Sequence, residues 1–302
     1  MSAGTSSPAG AAADGERVWT VLELLRWTTE YFKRNGIGSA RLDAELLLAH
    51  ALESDRLRLY VDYEKPVLAD ERDRFRALVQ RRAVERVPVS LLLGQREFWS
   101  LSFRVTSDVL TPRPETETLV EAALSKLTDA ESAVRILDLG TGSGAIALSL
   151  ASELPHAKIT ATDLSMQALQ IAMENADHLH TRERIRFLAG DLFEPVASER
   201  FELVVSNPPY VARDDAASLP PELSHEPEMA LFAGADGLEV IRRLVAEAGD
   251  HLSPGGWLLF ELSPEQIETV EMELVKAGFS EIERHLDLAK LVRVVGARWQ
   301  TD

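Results

Sequence analysis

None of the 302 residues is cysteine, so disulfides, thiolate metal sites and cysteine nucleophiles are excluded, and a reducing compartment is compatible with the chain. Long apolar runs are missing too: none approaches the roughly 18 residues a membrane-spanning helix needs. Basic residues are scarce beside acidic ones, 32 Lys and Arg against 49 Asp and Glu. The resulting net charge of −17 weighs against broad binding to nucleic acid or an anionic membrane. Residues 1–16 are rich in Ala, Gly, Ser and Pro and carry neither a basic start nor an apolar stretch, which reads as a disordered tail rather than a signal peptide. The default expectation is a cytoplasmic protein. What is present is 45% hydrophobic content, over a length suited to one large domain or two.

Three amphipathic helices are expected in residues 17–87. Thr20 and Glu23 have capping-box spacing, and Leu22, Leu25 and Phe32 recur at helical intervals until Gly36. A second helix is expected from about Ser39 to Leu52, with Leu42, Leu46 and Ala49 on one face and Asp43 and Glu45 off it. The third, about Asp70 to Glu85, carries Phe75, Leu78, Val79 and a basic cluster that includes Arg72, Arg74, Arg76, Arg81, Arg82 and Arg86. That cluster is either a solvated face balanced by neighbouring acids or a docking surface for an acidic or RNA-bearing partner. In residues 88–110, Val89–Leu93 and Leu101–Val105 read as the strands of a β-hairpin linking two domains. From 111 to 302, strands and helices alternate, the pattern of a doubly wound, mostly parallel α/β sheet. Its seven strands are expected near 134–139, 158–162, 185–189, 201–206, 257–262, 280–286 and 291–297.

Four successive strand ends carry chemistry-bearing residues, and ligands bind at that edge of open α/β sheets. The first is Asp138-Leu139-Gly140-Thr141-Gly142-Ser143-Gly144, a turn whose glycines let backbone approach a ligand closely. Asp163 ends the second strand, where a carboxylate can take both hydroxyls of a ribose. Asp191 follows the third and can accept from an adenine amino group, with Leu192 or Phe193 against the ring. Asn207-Pro208-Pro209-Tyr210 follows the fourth. Its two prolines stiffen the loop; Asn207 offers a side-chain oxygen, Pro208 a carbonyl and Tyr210 a ring face, together able to grip a planar amide or amine. Each feature alone has a structural alternative as a turn or cap, and Arg113, between Pro112 and Pro114, can simply pair with a carboxylate. The ordered set favours function.

The Gly-rich turn, Asp163, Asp191 and Asn-Pro-Pro-Tyr resemble a class I S-adenosylmethionine-dependent methyltransferase acting on a planar nitrogen, with its Rossmann-like sheet. Further segments, among them Arg41-Leu42-Asp43-Ala44-Glu45, Pro112 to Glu117, Glu226-Pro227 and Asp236-Gly237-Leu238, make the chain similar to the peptide chain release factor N5-glutamine methyltransferases, over nearly all of it after the tail. The chain departs from that family at Leu91, Trp99-Ser100, Thr111 and Ser263. The resemblance implies that Asp138, Gly140, Thr141, Gly142, Ser143, Gly144, Asp163, Asp191, Leu192 and Asn207 bind S-adenosylmethionine. It also implies that Asn207, Pro208 and Tyr210 are catalytic, with Pro209 and Arg113 at the substrate, and that no metal takes part. The implied partner is the Gly-Gly-Gln loop of a release factor, met by a monomer with no membrane and no sequence-specific nucleic-acid binding. Alternatives are a ribosomal-protein glutamine methyltransferase, an adenine N6 methyltransferase, and a non-catalytic adaptor.

Overall fold

The computed structural model describes residues 18–127 and 133–300; the expected tail at 1–16 lies outside them. The chain separates into two compact units that divide between Val89 and Ser90.

The first unit is helical: α1 (Val21–Arg34), α2 (Ala40–Ala51), α3 (Arg56–Val61) and α4 (Ala69–Ala83). The α1 capping box forms as its spacing predicts, Glu23 N–H donating to Thr20 Oγ1 at 3.3 Å and Thr20 N–H to the Glu23 carboxylate at 3.0 Å. The expected face of α2 is corrected. Leu42 is 42% exposed, whereas Asp43 and Glu45 are buried. Asp43 accepts from Arg82 Nε of α4 at 2.7 Å, and Glu45 accepts from Arg41 at 2.5 Å, Arg56 at 2.8 Å and Tyr60 OH at 2.6 Å. Carboxylates this fully paired can go inside, and a hydrophobic pattern cannot foresee it. Arginines of α4 are spent similarly, Arg74 on the Ala51 carbonyl and Asp70 and Arg82 on Asp43, as is Arg86 just beyond it on the Asn35 carbonyl. The unit's own acids and carbonyls thus hold Arg74, Arg82 and Arg86 of the basic cluster.

Val89–Leu93 is a short helix, α5, not the strand expected there. The second strand lies where expected, β2 (Leu101–Arg104), but its hairpin partner is β1 (Gln95–Phe98), with Phe98 opposite Leu101. Its two-residue turn, Trp99-Ser100, has φ of 51° and 57°. Primed turns need positive φ at both positions and usually advertise it with Asn or Gly; a Trp-Ser pair gives no such signal. Glu117 and Glu153 hold this turn, accepting from Trp99 N and Nε1, each at 2.8 Å.

There follow α6 (Glu117–Lys126), β3 (Arg135–Leu139), α7 (Ala145–Glu153), β4 (Lys158–Asp163), α8 (Met166–His178), β5 (Ile185–Ala189) and β6 (Phe201–Ser206). The chain ends with α9 (Glu239–His251), β7 (Leu252–Glu261), α10 (Ile267–Lys276), β8 (Phe279–Leu286) and β9 (Val292–Trp299). The strands form one seven-stranded sheet in the order β5-β4-β3-β6-β7-β9-β8. The first five are parallel to their neighbours, and β9 runs antiparallel to both β7 and β8. Alternation along β3 serves two cores: Ile136 packs in the cluster with Leu119, Ile146 and Leu203, and Leu137 in the cluster with Val204, Leu244 and Leu274. Both faces are covered, which explains the continuous apolar strands. The order reverses at β3, with β4 on one side and β6 on the other, so a crevice is expected at the carboxyl ends of these strands.

Candidate active site

A cavity of 260 Å³ occupies that crevice. Its wall includes Arg113, Gly140, Thr141, Gly142, Ser143, Asp163, Asp191, Leu192, Asn207 and Pro209, so ten of the residues singled out from sequence converge on one space. Val109, Leu110, Ile146, Ala168 and Val240 add apolar wall, and Pro227, Met229 and Ala230 close one side.

The Gly-rich turn leaves β3 with φ of 68° at Gly140, 57° at Gly142 and 84° at Gly144. A Cβ on Gly140 or Gly142 would meet nothing within 4 Å, so these two are glycine for their backbone shape, and they face open space. At Gly144 a Cβ would lie 2.8 Å from Leu148 Cδ1; this glycine belongs to the packing behind the turn and does not line the cavity. Asp138 is likewise behind the wall. It is fully buried, and its Oδ2 accepts from Thr141 Oγ1 at 2.7 Å and Ala147 N at 3.2 Å, bracing the turn from below. Burial pushes its carboxyl up to about 7, against the pull of those two donors. Expected at the cofactor, Asp138 lies behind the turn and off the cavity wall.

Asp163 sits on the wall, its carboxylate accepting from Gly142 N and Ser165 N, each at 2.8 Å. Burial raises its pKa, partly offset by these backbone donors. It therefore ties β4 to the Gly-rich turn while presenting its remaining lone pairs to the cavity. Asp191 is more committed than its position suggested: Arg243 of α9, also on the wall, donates to its Oδ2 at 2.7 Å. Leu192 beside it has φ of 44°, a strained backbone for leucine at a cavity wall. Arg113 reaches across to the buried Glu226, whose pKa burial raises against the pull of that guanidinium. This pair fastens the loop that carries Pro227 and Met229.

Asn207 has the most informative surroundings. Its Nδ2 donates to Thr116 Oγ1 at 3.1 Å, while its Oδ1 is buried and without a partner. Thr116 Oγ1 donates in turn to Glu261 Oε2 at 2.6 Å, and Tyr210 OH to Glu261 Oε1 at 2.9 Å. Pro208 is buried and, like Tyr210, does not line the cavity, because both are drawn back toward the sheet. Burial and the Glu261 carboxylate raise the Tyr210 pKa, so its phenol remains a neutral donor. Burial raises Glu261 as well, opposed by its bonds from Thr116 and Tyr210. Thr116, Arg243 and Glu261 are site residues that sequence reasoning passed over. Glu261 could have been found, being an acid at the C-terminal end of a buried strand on the ligand edge.

A glycine-lined turn, acids ending the adjacent strands and an unpaired amide oxygen define a nucleotide-cofactor methyltransferase of the seven-stranded class. The hMettl16 catalytic domain in complex with MAT2A 3'UTR hairpin 6 shares the fold, with a TM-score of 0.56 at 15% identity over 79% of this chain and 86% of that one. Residues 23–94 match the family PrmC N-terminal domain, and residues 116–235 match Methyltransferase small domain. The release factor glutamine methyltransferase of Geobacter sulfurreducens is 43% identical over 93% of this chain and 97% of its own length. That of Rhodopirellula baltica is 42% identical over 94% and 98%. The chain belongs to the release factor glutamine methyltransferase family.

Proposed function

We propose that this protein transfers a methyl group from S-adenosylmethionine to the side-chain amide nitrogen of the glutamine in the Gly-Gly-Gln motif of peptide chain release factors. The observation that carries the reading is the Asn207 Oδ1: a buried acceptor on the cavity wall with no partner in the protein. Buried polar groups are normally satisfied, so this one is kept for a ligand donor. The resemblance adds the Pro208 carbonyl, from the layer just behind the cavity wall, as a second acceptor for the two N–H bonds of a primary amide.

S-adenosylmethionine, when bound, supplies an electrophilic methyl on its sulfonium. The residues present fit it: bare backbone at Gly140 and Gly142, Asp163 for the ribose hydroxyls, the remaining oxygen of Asp191 for the adenine amino group and Leu192 against the ring. An amide nitrogen is a weak nucleophile because its lone pair is shared with the carbonyl. Asn207 Oδ1 and the Pro208 carbonyl orient that nitrogen and stabilise the positive charge it gains as its bond to the methyl carbon forms and the carbon–sulfur bond breaks. Tyr210 is a neutral phenol committed to Glu261 and serves no strong base; the proton leaves afterwards, when the alkylated nitrogen has become acidic.

On this reading residues 17–87 recognise the substrate protein, 88–110 link, and 111–302 carry out transfer. The enzyme works as a cytoplasmic monomer without sequence-specific nucleic-acid binding. Among the described residues no helix is long and apolar enough to cross a membrane. The test is mass spectrometry of a release factor incubated with the protein and methyl-labelled cofactor. One added methyl on the Gly-Gly-Gln glutamine is expected, with turnover falling about 100-fold or more in Asn207→Ala while cofactor affinity holds. Cofactor affinity that falls as steeply as turnover would sink the assigned role of Asn207, and an unmethylated factor would sink the substrate.

A further inference from the structure

We propose that Glu261 is a positioning residue: through Thr116 it dictates which end of the Asn207 amide is offered to the substrate. The proposal rests on the reading of Asn207 as the substrate's acceptor.

The polarity follows from counting protons. Thr116 owns one O–H, and Glu261 Oε2 takes it at 2.6 Å. Thr116 Oγ1 is then left with lone pairs alone, so toward Asn207, 3.1 Å away, it can only accept. That places the NH2 of Asn207 against Thr116 and its Oδ1 at the other end. The second oxygen of Glu261 is occupied by Tyr210 OH at 2.9 Å, so both oxygens accept. Glu261 is 1% exposed. A buried carboxylate is a costly way to fill that space, and a glutamine would fill it with less desolvation. What a glutamine cannot do is accept from both hydroxyls at once. The sense of the chain, donating from Asn207 to Thr116 to Glu261, is what the charge maintains.

Glu261→Gln tests this with almost no change of shape. With the new side-chain oxygen still accepting from Tyr210, its NH2 faces Thr116 and donates. The Thr116 proton must then turn to Asn207, whose amide flips and points N–H at the substrate's own N–H. Turnover is expected to fall about 100-fold, as for loss of one oriented transition-state partner, with cofactor affinity held within about twofold. Asn207→Asp alone sets two carboxylates competing for the single Thr116 proton and is expected to be at least as impaired. The double variant Glu261→Gln/Asn207→Asp restores a one-way chain, running from residue 261 through Thr116 to the carboxylate at 207. It also leaves the summed charge unchanged and an acceptor oxygen toward the substrate. It is expected to recover at least about tenfold over Asn207→Asp, a non-additivity of the size that contacting residues show.

The same variants report on the chain of bonds without any substrate. Asparagine occurs at only three positions, 35, 175 and 207, so selectively 15N-labelled protein shows three side-chain NH2 pairs. The pair that disappears in Asn207→Asp is Asn207, and in Glu261→Gln it is expected to shift while Asn35 and Asn175 stay in place. An unmoved Asn207 pair, or a double variant whose losses simply add, overturns the proposal; a merely structural Glu261 would give additive losses. If wild-type protein leaves the release factor unmethylated, the substrate reading falls by itself. The Asn207 resonances still decide: displacement supports the relay and persistence overturns it.

Discussion

Asp138→Asn should make the protein more stable, and increasingly so as pH rises. The Asp138 carboxyl is wholly enclosed, and burial lifts its pKa from 3.8 to about 7. A carboxyl whose pKa is higher folded than unfolded holds its proton more tightly in the native state. Its favourable contribution is complete below about pH 4, shrinks as pH rises and is gone above about pH 7. Each pH unit between those limits removes about 1.4 kcal/mol, so roughly 3 kcal/mol is lost between about pH 5 and about pH 7. The asparagine cannot ionise and escapes that loss. Its carbonyl can keep both donors that Asp138 Oδ2 now receives, from Thr141 and Ala147, and its NH2 replaces an Oδ1 that already lacks a partner. The stability advantage of the variant should therefore grow by about 3 kcal/mol from about pH 5 to about pH 7 and then level off. Hydrogen exchange of β3 and β6 amides under mild denaturant, at several pH values, measures this within the unit that carries Asp138; titrating groups that do not interact with Asp138 cancel between the two proteins, and Asp163, whose charge adds to the rise, is the one coupled neighbour. Parallel stability curves would refute the burial argument, as would an advantage that narrows with pH.

Asp163→Ala removes the acceptor for Gly142 N and Ser165 N and the wall's best partner for ribose hydroxyls; cofactor Kd by titration calorimetry should rise about 100-fold, with a smaller effect on turnover at saturation. An unchanged Kd would remove Asp163 from the cofactor site. In the helical unit, Arg82→Ala leaves the interior Asp43 carboxylate without its cation and with only Ser39 Oγ, at 2.7 Å, as a side-chain donor; both partners are 7% exposed, and the loss should destabilise that unit by about 3 kcal/mol. Amide exchange in α2 and α4 reads it, and a loss under about 1 kcal/mol would mean that Asp43 finds water or another donor.

Several readings that depend on neighbours in sequence survived, although the strand expected at Val89–Leu93 is a helix. The capping box of α1, the strand ends at Asp163 and Asn207 and the Gly-rich turn are local, and the structure has them where the spacing puts them. The sheet and its shared edge were legible as well, but the side-chain partners that arrive from far along the chain were not. Asp43 and Glu45 look like solvent-facing acids until Arg82, Arg56 and Tyr60 arrive from other helices. Trp99-Ser100 adopts a turn geometry that its residue types disfavour, held by Glu117 and Glu153, the latter 54 residues away. The orientation of the Asn207 amide is the extreme case. It depends on Thr116, 91 residues earlier, and on Glu261, a further 145 residues from Thr116. Sequence pattern can place an asparagine at a strand end; only the assembled hydrogen bonds decide which of its atoms meets the ligand.

Tyr210 shows how such distant partners change a role. The tetrapeptide suggested a ring that packs on the substrate, yet the ring packs against the core beneath the sheet edge. It is held at both ends, its hydroxyl by Glu261 and its carbonyl by Gln266 Nε2 at 2.9 Å. Gly237, at φ 76°, comes so close that a Cβ there would lie 2.3 Å from the same carbonyl, which gives Asp236-Gly237-Leu238 a physical reason to contain glycine. The long loop after the tetrapeptide thus returns to press on it, pairing Val211 with Leu231 and Ala233 on the way. Two prolines limit what the tetrapeptide's backbone can do, and Tyr210 anchors its end to β7 and to the residue that leads into α10. An acceptor pair that must meet a weak nucleophile in one geometry needs that stiffness. Buried groups off the cavity wall, Glu261 and Tyr210 foremost, therefore hold the tetrapeptide and its Asn207 amide in place.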